Sequence, residues 1–214
     1  MRISHRHKFI YYSIPKTGSE SVRQLLDPLS DVKIVAYSQT TSEQPFYSHM
    51  RPVEANRVFK TLNYDIHKYF SFATVRNPWK RMASLFYMIQ RNQRYFWNGS
   101  FKDWLKSIDP QNLIFPPTNG KWYDHGIINY STFLEYGAAE NGVDQVFRIE
   151  DGLYDLIKQL KTRKDIKNWE PEIPHINKNP GTIKYKELYD IQCIEIVQKL
   201  FSKDIAIYGY SFDD

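Results

Sequence analysis

Ile14-Pro15-Lys16-Thr17-Gly18-Ser19-Glu20-Ser21 is the stretch on which the fold turns. The apolar run from Phe9 to Ile14 precedes it, and Val22, Leu25 and Leu26 follow at helical spacing. That pattern predicts a strand, a tight turn and a helix N-terminus. A helix N-terminus presents N–H groups without intrahelical acceptors and the positive end of the helix dipole, which suits an anionic ligand. Lys16 adds a full charge, and Thr17, Ser19 and Ser21 add hydroxyl donors. The turn is shorter than the Walker A pattern and lacks its Gly-Lys-Ser/Thr ending. On these residues alone, a basic turn before an ordinary helix is the plain alternative.

A second stretch has the same form. Tyr69 to Val75 reads as a buried strand and runs straight into Arg76-Asn77-Pro78-Trp79-Lys80-Arg81-Met82-Ala83-Ser84. Asn77 is a good N-cap and Pro78 a good first helical residue. Arg76 then stands at a strand's C-terminal end, with Ser84 two turns into the helix. The arginine fork matches a phosphate dianion, and a small hydroxyl supplies a further donor.

The rest of the chain alternates likewise. We expect a short strand over 32–36, a helix over 52–62, a helix from 78 to about 94 and a short helix capped by Ser100. A strand over 146–149, a helix capped by Asp151 and a last helix over 186–201 follow. Trp79 fits the apolar stripe of its helix, and Cys193 falls within the last helix as packing. Alternating strands and helices imply an α/β fold with a mostly parallel sheet covered on both faces. Ligands bind such sheets outside the C-terminal strand ends, where both stretches lie.

Together the two stretches are specific. Pro15 to Ser21 resembles the 5′-phosphosulfate-binding loop of the sulfotransferases that use 3′-phosphoadenosine 5′-phosphosulfate (PAPS). Arg76-Asn77-Pro78, with Ser84 eight positions after the arginine, resembles their 3′-phosphate-binding motif. Val146 to Asp151 is similar to the family's late strand and acidic turn. His175-Ile176-Asn177-Lys178 and the ending from Phe201 to Tyr210 are similar to the carbohydrate branch, the sulfotransferase family 2-like group. Residues 99–142 carry no recognisable motif.

The resemblance implies a three-layer, P-loop NTPase-like sulfotransferase fold in one domain, 1–214. PAPS would be the donor and 3′-phosphoadenosine 5′-phosphate (PAP) the product, with no metal required. Lys16 would neutralise the leaving phosphate. Thr17, Gly18, Ser19, Glu20 and Ser21 would hold the 5′-phosphate, Arg76 and Ser84 the 3′-phosphate, and Asn177 and Lys178 would close over the nucleotide. His49, in Phe46-Tyr47-Ser48-His49-Met50-Arg51, resembles the catalytic histidine of the carbohydrate branch. An imidazole titrating near neutrality can take a proton from an acceptor hydroxyl. His125, beside Asp124, is the rival base. Glu20 departs from the commoner small hydroxyl. The spacing Thr17-x-x-Glu20 suggests a capping box, and a role in acceptor binding is the alternative.

The chain has 214 residues, with 29 basic against 24 acidic and a net charge of +5. The basic residues are dispersed, with no long Lys/Arg run, so an anionic nucleotide and a polar acceptor fit better than nucleic acid. One cysteine excludes an internal disulfide. The polar start and the absence of any membrane-length apolar run lead us to expect a cytoplasmic enzyme without a membrane span. A P-loop-type ATP-dependent kinase and a non-catalytic nucleotide- or glycan-binding module stay open beside the sulfotransferase. The acceptor, most readily a carbohydrate, has no readable code.

Overall fold

Arg2–Ser4 (β1), Phe9–Tyr12 (β2), Phe70–Val75 (β3) and Gln145–Arg148 (β4) pair in that order into one sheet. β2 and β3 are buried at every position. β2 reads as an unbroken apolar and aromatic run, and β3 departs from one only at the buried hydroxyls Ser71 and Thr74, because a parallel strand covered on both faces has no solvent side to alternate against. β2–β3 and β3–β4 are parallel, with Tyr11 opposite Phe72 and Val75 opposite Arg148. β1 is antiparallel to β2. Asp31 holds the turn between them, accepting the N–H of His5 at 2.7 Å and of Arg6 at 2.8 Å.

The computed structural model describes residues 1–92, 97–114, 126–135, 142–164, 166, 168–173 and 184–214. Its helices are Ser19–Leu26 (α1), Pro52–Thr61 (α2), Pro78–Gln90 (α3), Phe101–Lys106 (α4), Tyr130–Leu134 (α5), Tyr154–Lys164 (α6), Ile191–Leu200 (α7) and Ser202–Tyr208 (α8). The chain divides into two units: Met1–Val75 with Phe133–Asn177, and Arg76–Thr132 with Lys178–Asp214.

The first unit holds the sheet. Phe9, Tyr11, Phe70, Phe72 and Phe147 line one sheet face and pack on Val22, Leu25 and Leu26 of α1 and on Leu156 and Leu160 of α6. α1 has no side-chain cap. A missing cap costs about 1 kcal/mol. Burying each of three large apolar side chains returns about 1.5–3 kcal/mol, so packing decides that this helix forms.

In the second unit α3 buries Met82, Leu85, Phe86 and Ile89. The Phe86 ring meets Phe101 at 5.1 Å and Trp104 at 5.6 Å between centroids, which seats α4. Ser100 caps α4, accepting the Asp103 N–H at 3.1 Å. Trp79 is buried and donates its indole N–H to the Ile194 carbonyl at 3.1 Å, in line with its core assignment. Cys193 is buried in α7 as expected.

Several boundaries differ from the sequence expectations. The strand expected over 32–36 is a single bridge between Val35 and Tyr47. α3 stops at Gln90. Asp151 does not cap α6, because Gly152 (φ 82°) intervenes and the carboxylate turns back to within 3.9 Å of Arg148. The last helix is broken: Asp190 caps α7 through the Cys193 N–H at 2.8 Å, and α8 starts anew after Phe201. α8 escapes a periodicity reading because it buries a charged residue, Asp204.

Candidate functional site

The loop 13–18 leaves β2 at the C-terminal edge of the parallel strands. Lys16 (φ 68°) and Gly18 (φ 72°) are left-handed, with Thr17 between them at negative φ. Alternating handedness turns successive N–H groups toward one side, the geometry of an anion-binding nest. The first helical bond of α1 runs from the Val22 N–H to the Gly18 carbonyl at 3.3 Å. The helix therefore supplies no acceptor to the N–H groups of Ser19, Glu20 and Ser21. Gly18 is confined twice over: besides its φ, a Cβ there would sit 2.8 Å from Ile149 Cγ1.

The floor of the loop is a buried hydroxyl network. Thr17 Oγ1 donates to the Ile14 carbonyl at 2.9 Å and lies 3.2 Å from Thr74 Oγ1. Thr74 in turn donates to the Thr17 carbonyl at 3.2 Å and meets the Tyr11 hydroxyl at 2.8 Å. Burial pushes the Tyr11 phenol up to about 12, so it stays protonated. The Thr17 side chain was expected as a ligand donor, but it faces the core and pins the loop to β3. Only its N–H can face a ligand.

Glu20 also corrects an expectation. The capping box does not form: Gly18 is the N-cap, and Glu20 is exposed and ion-paired with Arg23 one turn on. Left-handed Gly18 starts the helix one residue later than Thr17 would, which turns Glu20 outward. Ser19 is buried and Ser21 half-buried at the first turn.

His49 is tied to the root of this loop. Its Nδ1 lies 2.6 Å from the Ser13 carbonyl. A carbonyl only accepts, so Nδ1 donates to it, and in the neutral form of the ring the lone pair falls on Nε2. The segment bearing it is braced from α2: Glu54 accepts the Tyr47 hydroxyl at 2.7 Å and the Arg51 N–H at 2.8 Å. Burial, and then the contact with Glu54, hold the Tyr47 phenol well above its ordinary range.

In the second unit Arg76, half-buried, is the first residue after β3. Asn77 caps α3, its Oδ1 accepting from Trp79 at 3.0 Å and Lys80 at 3.2 Å, and Pro78 follows at the first position. Ser84 is half-buried on α3. It comes seven residues after Asn77, about two turns, and so lies on the same helix face. Asn177, Lys178, His175 and His125 lie outside the described residues.

The model of the sulfotransferase family matches residues 1–211. The chain belongs to the sulfotransferase family. No curated protein and no solved structure matches it. Among the described residues, no helix of this sulfotransferase is long and apolar enough to cross a membrane. Sequence reasoning missed Tyr130, whose hydroxyl contacts the backbone of Arg76, and Asp204, which holds Tyr130. Tyr130 belongs to none of the family-like stretches, Asp204 stands in the ending from Phe201 to Tyr210 with nothing there to mark it as a partner of Tyr130, and both lie far from Arg76 in the chain.

Proposed function

We propose that the chain transfers a sulfuryl group from PAPS to an acceptor hydroxyl, on a carbohydrate, through one functional domain spanning 1–214. The observation that carries this is the loop 15–18 with His49 tethered beside its root. A nest of N–H groups and a lysine suit a phosphosulfate, and an imidazole with its lone pair on Nε2 suits a hydroxyl proton. These groups fit the donor without a metal, since Lys16 and the α1 dipole carry positive charge where negative charge builds.

When bound, PAPS supplies the SO3 unit and a phosphate leaving group. The N–H groups from Thr17 to Ser21 hold the 5′-phosphate, and Lys16 neutralises the bridging oxygen as the sulfur–oxygen bond breaks. His49 Nε2 takes the acceptor proton as the new oxygen–sulfur bond forms. Arg76 and Ser84 hold the 3′-phosphate, the group that distinguishes this donor from ATP. Asn177 and Lys178 are assigned by resemblance to closing over the nucleotide.

The test is transfer from radiolabelled PAPS to a panel of hydroxylated sugars. Transfer is expected in the native protein. His49→Ala should lower kcat by about 10²–10⁴-fold with PAP affinity retained. Magnesium-dependent ATP turnover without sulfuryl transfer would overturn the assignment in favour of a kinase. Tight PAP binding with no transfer to any acceptor would make the chain a binding module.

A further inference from the structure

Arg76 lies just past the last register pair of its strand, Val75 with Arg148. A single side chain takes both of its backbone groups. The Tyr130 hydroxyl donates to the Arg76 carbonyl at 2.5 Å and accepts the Arg76 N–H at 3.3 Å. Tyr130 is fully buried. We infer that Tyr130 is the positioning residue for Arg76, holding the backbone from which the guanidinium reaches the donor's 3′-phosphate. This rests on the donor assignment proposed above.

Tyr130 is itself held on three sides. The Asp204 carboxylate accepts the N–H of Tyr130 at 2.7 Å and of Ser131 at 3.2 Å, the first two donors of α5. The Arg81 guanidinium lies 4.5 Å from the centre of the Tyr130 ring and donates to the Ile128 carbonyl at 2.9 Å. The Tyr208 ring meets it edge-on at 5.8 Å. Arg81 and Asp204 are both fully buried. Burying charge costs several kcal/mol per ion before pairing, so a plain core would do better with apolar residues. Here the two charges flank one tyrosine whose hydroxyl reaches out to Arg76. On the other side Asn77 Nδ2 donates to the Ser211 carbonyl at 2.7 Å, so the Arg76–Asn77 segment is held from both flanks.

A tyrosine that only fills the core would change melting and leave ligand discrimination alone. A positioning tyrosine acts through Arg76, because misplacing a ligand-binding group by a fraction of an ångström already weakens its bond. The experiment is calorimetric titration with PAP and with AMP of the native protein, Tyr130→Phe, Arg76→Ala and the double variant. Tyr130→Phe should lower the PAP-to-AMP affinity ratio about tenfold, with AMP affinity unchanged. It should add nothing in the Arg76→Ala background. If Arg76→Ala collapses the ratio and Tyr130→Phe does not, the positioning role is wrong and the donor site stands. If Arg76→Ala leaves the ratio intact, the donor assignment fails and the inference with it. Should Tyr130→Phe not fold, amide hydrogen exchange on the native apo protein decides. Protection of the Arg76 amide comparable to that of β3 supports the bond, and free exchange overturns it.

Discussion

Lys16 and Gly18 share a left-handed backbone but not its cost. Glycine adopts that conformation freely, whereas a side chain there costs about 1–2 kcal/mol. The strain sits at the residue assigned to neutralise the leaving phosphate. Lys16→Gly should therefore keep or raise stability, by on the order of 1 kcal/mol, while abolishing transfer; thermal melts beside the labelled-donor assay measure both. Gly18→Ala should lower stability. It adds the conformational cost and drives a methyl to 2.8 Å from Ile149 Cγ1, so a loss of about 2 kcal/mol or more is expected in denaturant titration. At this scale the sequence was legible for charge and not for direction. Arg76 stands out because a cation directly after a strand is conspicuous, and Lys16 because it stands in the short turn between a strand and a helix. That Thr17 points inward and Glu20 outward follows from the hand of Gly18, which a residue name does not encode.

The elements that position the site are those with short, local instructions. Asn77-Pro78 states where α3 begins, and the structure adds the Nδ2 bond to Ser211. Asn77→Ala removes cap and tether together. A loss of about 1–2 kcal/mol is expected, seen as a lower denaturant midpoint at unchanged slope. Between β2, β3 and the loop, Thr74 is the shared hydroxyl. Thr74→Val should cost about 1–3 kcal/mol, because the Tyr11 hydroxyl loses its buried partner. β1 and α5 could not be read in advance: three and five residues are too few to show a period of 2 or 3.6. α5 takes its start from Asp204, more than seventy residues away.

For the molecule as a whole, acid stability follows from carboxylates held in opposite senses. The Lys102 ammonium, then the Cys193 N–H, hold Asp190 down to about 2. Burial raises Asp31, but the N–H groups of Arg6 and His5 outweigh it and leave the group below its ordinary value. A depressed carboxylate contributes stability above its unfolded value of 3.8, and for Asp190 this is lost as pH falls through about 2. Asp204 is raised, chiefly by burial. Its contribution is present in acid and lost as pH rises through its folded value. Stability should thus fall between about pH 4 and 2, and Asp190→Asn should flatten that limb in acid titrations followed by circular dichroism. The α/β class and the parallel strands were legible because buried strands and amphipathic helices alternate along the chain. The acceptor was not, because no motif specifies it. The central claim is that the chain binds a 3′-phosphorylated adenine nucleotide through Arg76, and calorimetric titration with PAP, AMP and ATP tests it most directly. The expected result is a clear preference for PAP that disappears in Arg76→Ala; equal affinities, or a preference for ATP with magnesium, would contradict it.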